Sequence, residues 1–247
     1  MLFHTTDTRQ VSRLASSLIA VGLMGMVGAA VAADGVVQDR RVDDQRYELA
    51  IEQLAATSPL EVTDHAKVRE QLDRYLGTPD GRRFVAEALE RYVDHADDIE
   101  AAARRHGVPS QVAAIAFIES GFSNHDQWAF PSAEEEARYS WRGAGMWMFI
   151  PATARTYGMA VSSEVDERLD IPRETEAAMR YLAREADHFG SWLLAFASYN
   201  QGRRAVTAAI AEAGTDDPWT LIGDDHLNDY VPAVVAAALI LEDRTLR

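Results

Sequence analysis

The 247-residue chain has no cysteine. That excludes disulfides and a lipid-modified N-terminal cysteine, and leaves the hydrophobic core to stabilise the fold alone. Positive charge is scarce, with 24 Lys and Arg against 39 Asp and Glu and a net charge of −15. A protein that binds nucleic acid needs cations to replace phosphate counterions, so no nucleic-acid partner is expected. Seven histidines are scattered without ligand spacing, which argues against a metal site. No convincing alternating strand pattern appears, and beyond residue 57 nearly every segment has helical period. The expected fold class is all-α.

One long apolar run is present, and it lies at the start. "MLFHTTDTRQVSR" supplies Arg9 and Arg13, and "LASSLIAVGLMGMVGAAVAA" follows with small residues at its exit. Residues 1–33 thus have the basic, apolar and A-x-A-like parts of a secretory signal, which sends the protein to the periplasm or out of the cell. The alternative is an uncleaved membrane anchor, which the many Gly, Ala and Ser residues disfavour. Residues 34–63 are largely polar and charged, and read as a linker or a loosely held helix.

Residues 64–107 read as N-terminal helices. Val68, Leu72, Tyr75 and Leu76 share one face, and Thr78 to Gly81 form a turn. Phe84, Ala88, Leu89, Tyr92, Val93 and Ile99 make an apolar stripe that Gly107 closes. Residues 108–247 form the main domain. Pro109 and Ser110 open a helix from Gln111 to Glu119 that is apolar on every side, the mark of a buried helix. Ser123 to Arg142 reads as one long irregular loop carrying the acidic knob Glu134, Glu135 and Glu136. Helices follow over Pro151 to Gly158, Arg173 to Phe189, Trp192 to Tyr199, Arg203 to Ala213 and Val231 to Leu246.

The stretch "AIAFIESGF" ends that buried helix in a lone carboxylate, Glu119. Low-dielectric surroundings raise a carboxyl pKa, and the negative end of the helix dipole acts in the same direction. Such a group can stay protonated near neutrality and donate its proton. A glutamate that merely caps the helix or pairs with an arginine is the plainer alternative. Three further stretches bear on the choice. "GAGMWMFIP" is a Gly-rich turn whose Trp147 and Phe149 either stack on sugars or simply fill the core. "FASYNQG" ends a helix in Tyr199 and Asn200, and "NDYVP" places Tyr230 before the last helix.

In this order, the "ES-G-F" glutamate, the "G-x-W-x-F-x-P-x-T-A" turn, "D-E-R-x-D-x-P", "T-x-A-A-x-x-Y-L", "Y-N-x-G" and "Y-V-P" resemble the lytic murein transglycosylases. The likeness is to the membrane-bound type D branch of the soluble-lytic-transglycosylase superfamily, and covers roughly residues 64 to 245. It implies a lysozyme-like all-α domain of the goose-lysozyme type that cleaves the MurNAc–GlcNAc β-1,4 bond of peptidoglycan glycan strands. Glu119 would be the sole acid/base, closing a 1,6-anhydro ring on MurNAc. Ser120 would contact the substrate or orient Glu119, and Gly145, Met146, Met148, Phe149, Tyr199 and Asn200 would line the cleft. Tyr230 matches the tyrosine that reaches the catalytic carboxyl. No organic cofactor or metal is implied, and the chain would act as a monomer, with a cell-envelope machine as an open further partner.

Two departures from the family pattern matter. Met148 stands where the family has glutamine, and the stretch between Glu119 and Gly145 is longer than usual. The loop therefore keeps a second enzymatic reading open, a hydrolytic goose-type muramidase in which Asp126 or Glu134 to Glu136 positions water. Met148 keeps a third open, a non-catalytic wall-binding scaffold.

Overall fold

The computed structural model describes residues 44–127 and 129–243. The expected export signal and the last turn expected over 244–246 lie outside these residues. Among them are eleven α-helices and three isolated bridge pairs, with no strand. The all-α expectation holds.

Two helices that are apolar all round occupy the middle. α4 (Ala113–Ser120) buries Ala113 to Phe117, and α11 (Tyr230–Glu242) buries Val231, Pro232 and Val234 to Ile240. Each large apolar side chain withdrawn from water contributes roughly 1.5–3 kcal/mol, so helices with no polar face are driven inward. α11 packs on α4, and also on α1 (Asp44–Thr57), α2 (Ala66–Leu72) and α8 (Trp192–Gln201).

Amphipathic helices surround this pair. α3 (Pro79–His106) turns Val85, Ala88, Ile99, Ala102 and Ala103 to the core. The expected turn at 78–81 is in fact its start: Thr78 Oγ1 accepts the Gly81 N–H at 3.0 Å, and Pro79 takes the first helical position. Gly107, at φ 66°, closes the helix as its sequence position suggests. Val93, expected on the apolar stripe, is 77% exposed, because five residues past Ala88 it falls off the buried face. α7 (Ile171–Phe189) packs on α3 and α8. α9 (Arg203–Ala213) leads to a short α10 (Pro218–Gly223), for which the sequence gives no clear periodic signal.

Two segments differ more from expectation. Within 34–63, α1 buries Tyr47, Ala50, Ile51 and Leu54. Their i, i+3, i+4, i+7 spacing makes it a core helix rather than a linker. The loop at 123–142 holds a helix of its own, α5 (Ala133–Tyr139), which no core burial supports. Ser132 and Glu135 close a capping box at its start, and Glu136 pairs with Arg155 of α6 (Pro151–Thr156). The acidic knob is therefore a helix's first turn, where carboxylates meet the favourable end of the dipole.

Candidate active site

Glu119 stands in the last turn of α4, and the sequence after it explains how the helix stops there. Gly121 (φ 56°) and Phe122 (φ 59°) are both left-handed. Their N–H groups return to Phe117 O at 2.9 Å and Ala116 O at 3.3 Å, satisfying carbonyls the helix end would otherwise orphan. A phenylalanine in that region costs roughly 1–2 kcal/mol. The cost is offset by burying its ring against Tyr92, with centroids 4.8 Å apart, and Phe117, at 6.2 Å. Arg91 Nε adds a 2.7 Å bond to Gly121 O. The helix end is fixed, and the carboxylate with it.

Glu119 is partly exposed, and among the described residues its hydrogen-bond partner is Tyr230, whose hydroxyl donates to Oε1 at 2.7 Å. Burial pushes the Glu119 carboxyl up to about 7, and the Tyr230 bond opposes this without cancelling it. Burial, reinforced by the Glu119 charge, pushes the phenols of Tyr199 and Tyr230 well above their ordinary range. Tyr75, on the π-helical turn Asp73–Gly77 after α2, is raised too, chiefly by burial and also by Glu119. Near neutral pH all three phenols are therefore neutral groups.

Behind this acid lies the turn Ala144–Phe149, closed by Ala144 N–H to Phe149 O at 3.2 Å, with Met148 left-handed (φ 55°) near its tip. Side chains from three helices seize its backbone. Ser120 Oγ donates to Met146 O at 2.7 Å, and Tyr199 Oη donates to Trp147 O at 2.7 Å. The Met146 and Trp147 N–H groups donate to Glu174 Oε1 and Oε2 at 2.7 and 3.2 Å. Arg168 Nη1 reaches Phe149 O at 2.9 Å, and Gly145 N–H reaches His125 O at 2.8 Å. Gly145 has φ 85°, and a Cβ there would lie 2.1 Å from both Arg168 O and Glu174 Oε2. Only glycine fits that position.

This geometry divides the expected site residues. Met148, Tyr199, Asn200 and Tyr230 are partly exposed. Ser120, expected to contact substrate or to orient Glu119, and Gly145, Met146 and Phe149, expected to line the cleft, are buried, and their bonds tie the turn to α4, α7, Arg168 and His125. Trp147 is core: fully buried, its indole N–H donates to Thr175 Oγ1 at 2.9 Å. Phe149 presents its edge to Tyr199, with ring centroids 6.0 Å apart. Asn200 Oδ1 accepts from Asn228 Nδ2 at 2.9 Å. Of the loop carboxylates, Glu135 is engaged in its capping box and Glu136 with Arg155.

Sequence reasoning missed Glu174. It reads as an ordinary first-turn acid of α7, yet it is fully buried, and burial raises its pKa well above the usual range against the two backbone bonds it accepts. It also missed the buried pair of Arg168 and Asp166, 2.6 Å apart, which joins the turn to the inserted loop through Phe130 N–H on Asp166 at 3.1 Å. For Glu174 the one available signal was weak: Ala177 and Ala178, three and four residues on, put it on an apolar face of α7, without saying what it would hold.

Residues 98–222 match the family model described as the Transglycosylase SLT domain, a span that holds Glu119, the turn, Glu174, Tyr199 and Asn200. The membrane-bound lytic murein transglycosylase D of Escherichia coli K12 is 28% identical over 187 residues, covering 74% of this chain and 38% of that protein. The protein of the same name from Escherichia coli O6:H1 gives the same figures. The chain thus spans well under half the length of these relatives. With the family model covering half of its residues, and the all-α architecture around an acid at the end of a buried helix, the chain belongs to the transglycosylase SLT domain family.

Proposed function

We propose that this chain is an exported lytic transglycosylase that cleaves the MurNAc–GlcNAc β-1,4 bond of peptidoglycan and leaves a 1,6-anhydroMurNAc end. The observation that carries the reading is Glu119: a partly open carboxyl, lifted to about 7 by burial, whose neighbours are neutral phenols rather than a cation that would hold it ionised. Protonated Glu119 gives its proton to the glycosidic oxygen as the bond from MurNAc C1 breaks, and the GlcNAc leaves with a free 4-hydroxyl. The resulting carboxylate then takes the proton of the MurNAc C6 hydroxyl as that oxygen bonds to C1. The acid is regenerated and no water is consumed. This differs from glycosidases that need two carboxylates. The engagement of Glu135 and Glu136 elsewhere supports the single-carboxylate scheme.

Tyr230 keeps the carboxyl oriented in both half-steps, and the partly exposed Met148, Tyr199 and Asn200 form the wall against which the glycan lies. Met148 offers that wall a thioether, with no amide to hydrogen-bond a sugar or peptide.

The test is digestion of purified sacculi with wild type and Glu119→Gln, with the products weighed. Wild type should release muropeptides one water lighter than their reducing counterparts, and the variant essentially none. Reducing MurNAc ends from wild type would instead establish a hydrolytic muramidase, and absence of any product from wild type would establish a binding scaffold.

A further inference from the structure

Tyr230 is the first residue of α11, where a helix leaves its N–H groups without intrahelical partners. The side chain of the N-cap residue, Asp229, does not satisfy them. Asn228 meets part of that need, its Oδ1 accepting the Tyr230 N–H at 3.1 Å. This bond decides which way round the Asn228 amide sits, so its Nδ2 must be the donor on the other side. There it meets Asn200 Oδ1 at 2.9 Å, which settles the orientation of Asn200 as well. The Asn228 backbone N–H is held by Gln201 Oε1 at 3.3 Å. An unbroken path therefore runs from the end of α8 through Asn228 and Tyr230 to the Glu119 carboxyl.

We propose that Asn228 is a positioning residue for the catalytic acid: it locks the start of α11 to Asn200 and Gln201, and so aims the Tyr230 hydroxyl at Glu119. In this role the Asn200 carbonyl is a structural acceptor, and its amide group alone remains to face the cleft. The inference rests on the acid/base role proposed for Glu119, and its test does not require turnover. The loop before α11 is also held from the opposite side, where Lys67 Nζ binds Ile222 O at 2.9 Å, Asp225 at 2.8 Å and Asp229 at 3.0 Å. Removing the Asn228 side chain therefore loosens one anchor of two and leaves the helix start attached.

The groups that bear on Glu119 are Tyr75 from the π turn, Tyr199 from α8 and Tyr230 from α11, with Arg91 of α3 bound to the nearby Gly121 carbonyl. Among the described residues, only the Tyr230 hydroxyl donates a bond to the carboxyl, and that bond favours its ionised form. Loosening Tyr230 must therefore raise the Glu119 midpoint. The experiment follows the side-chain carboxyl of Glu119 by ¹³C NMR titration in wild type, Asn228→Ala, Asn200→Ala, Tyr230→Phe and the Asn228→Ala/Tyr230→Phe double variant. Asn228→Ala should move the midpoint upward, toward that of Tyr230→Phe, and the double variant should move it no further than Tyr230→Phe alone. Asn200→Ala should act in the same direction with the fold intact. In sacculus digestion by Asn228→Ala, kcat should fall about tenfold with KM nearly unchanged, as expected for a displaced catalytic group. A wild-type midpoint in folded Asn228→Ala and Asn200→Ala would overturn the proposal, whatever their effect on activity or stability. Lack of wall cleavage by wild type would refute the proposed reaction while leaving the titration result to be judged by itself.

Discussion

Glu119 was legible as a candidate acid from an apolar helix and a carboxyl at its C-terminal end, but those local features fit a capping glutamate as well, and only the further motifs separated the two. Its raised pKa also makes a stability claim. The folded pKa of about 7 exceeds the ordinary 4.5, so the fold prefers the neutral acid. That preference is fully present below the ordinary carboxyl range and is lost as pH rises through about 7. Glutamine cannot ionise, and its carbonyl can still accept from Tyr230. Glu119→Gln should therefore be more stable than wild type to urea at pH 8, by on the order of 3 kcal/mol, with the gap closing by pH 4. The same gap at both pH values would mean that packing, not ionisation, sets it. Glu174 was illegible by comparison, since nothing in the sequence around a first-turn acid says that a turn 27 to 28 residues earlier will lay two N–H groups on it.

At the scale of elements, legibility followed burial. α4 and α11 were plain because helices without a polar face have one place to go. α1 was obscured by its charges, although Tyr47, Ala50, Ile51 and Leu54 keep helical spacing. α5 left no periodic trace because none of its residues is buried and its stability comes from capping and the Glu136–Arg155 pair. The turn at Ala144–Phe149 was read as either touching substrate or filling the core; Trp147 and Phe149 are buried, Met148 is partly exposed, and side chains of three helices hold its backbone. Glu174 accepts two of its N–H groups, and in Glu174→Gln one of them would face an amide donor. That loss should cost about 2 kcal/mol in urea unfolding and depress sacculus solubilisation. An unchanged midpoint of unfolding would show that the turn does not depend on this carboxylate.

The whole molecule is a larger working unit than the matched family domain. The family match ends at residue 222, before Tyr230, and begins at residue 98, after α1 and α2. Both flanks nonetheless bear on the site: α2 brings Lys67 to the loop before Tyr230, and the π turn behind it brings Tyr75 to Glu119. Their contribution was hard to read because it depends on pairings across more than 150 residues, such as Lys67 with Asp225. In the proposed reaction these elements serve the proton on Glu119, whose carboxyl burial lifts to about 7. The most direct check is the pH dependence of kcat/KM for sacculus solubilisation by wild type. With Glu119 as the acid, the rate should hold a plateau on the acid side and fall about tenfold per pH unit above roughly 7, as the required proton is lost. A rate that rises through pH 7 would show that the ionised carboxylate is the active form, and would contradict that role.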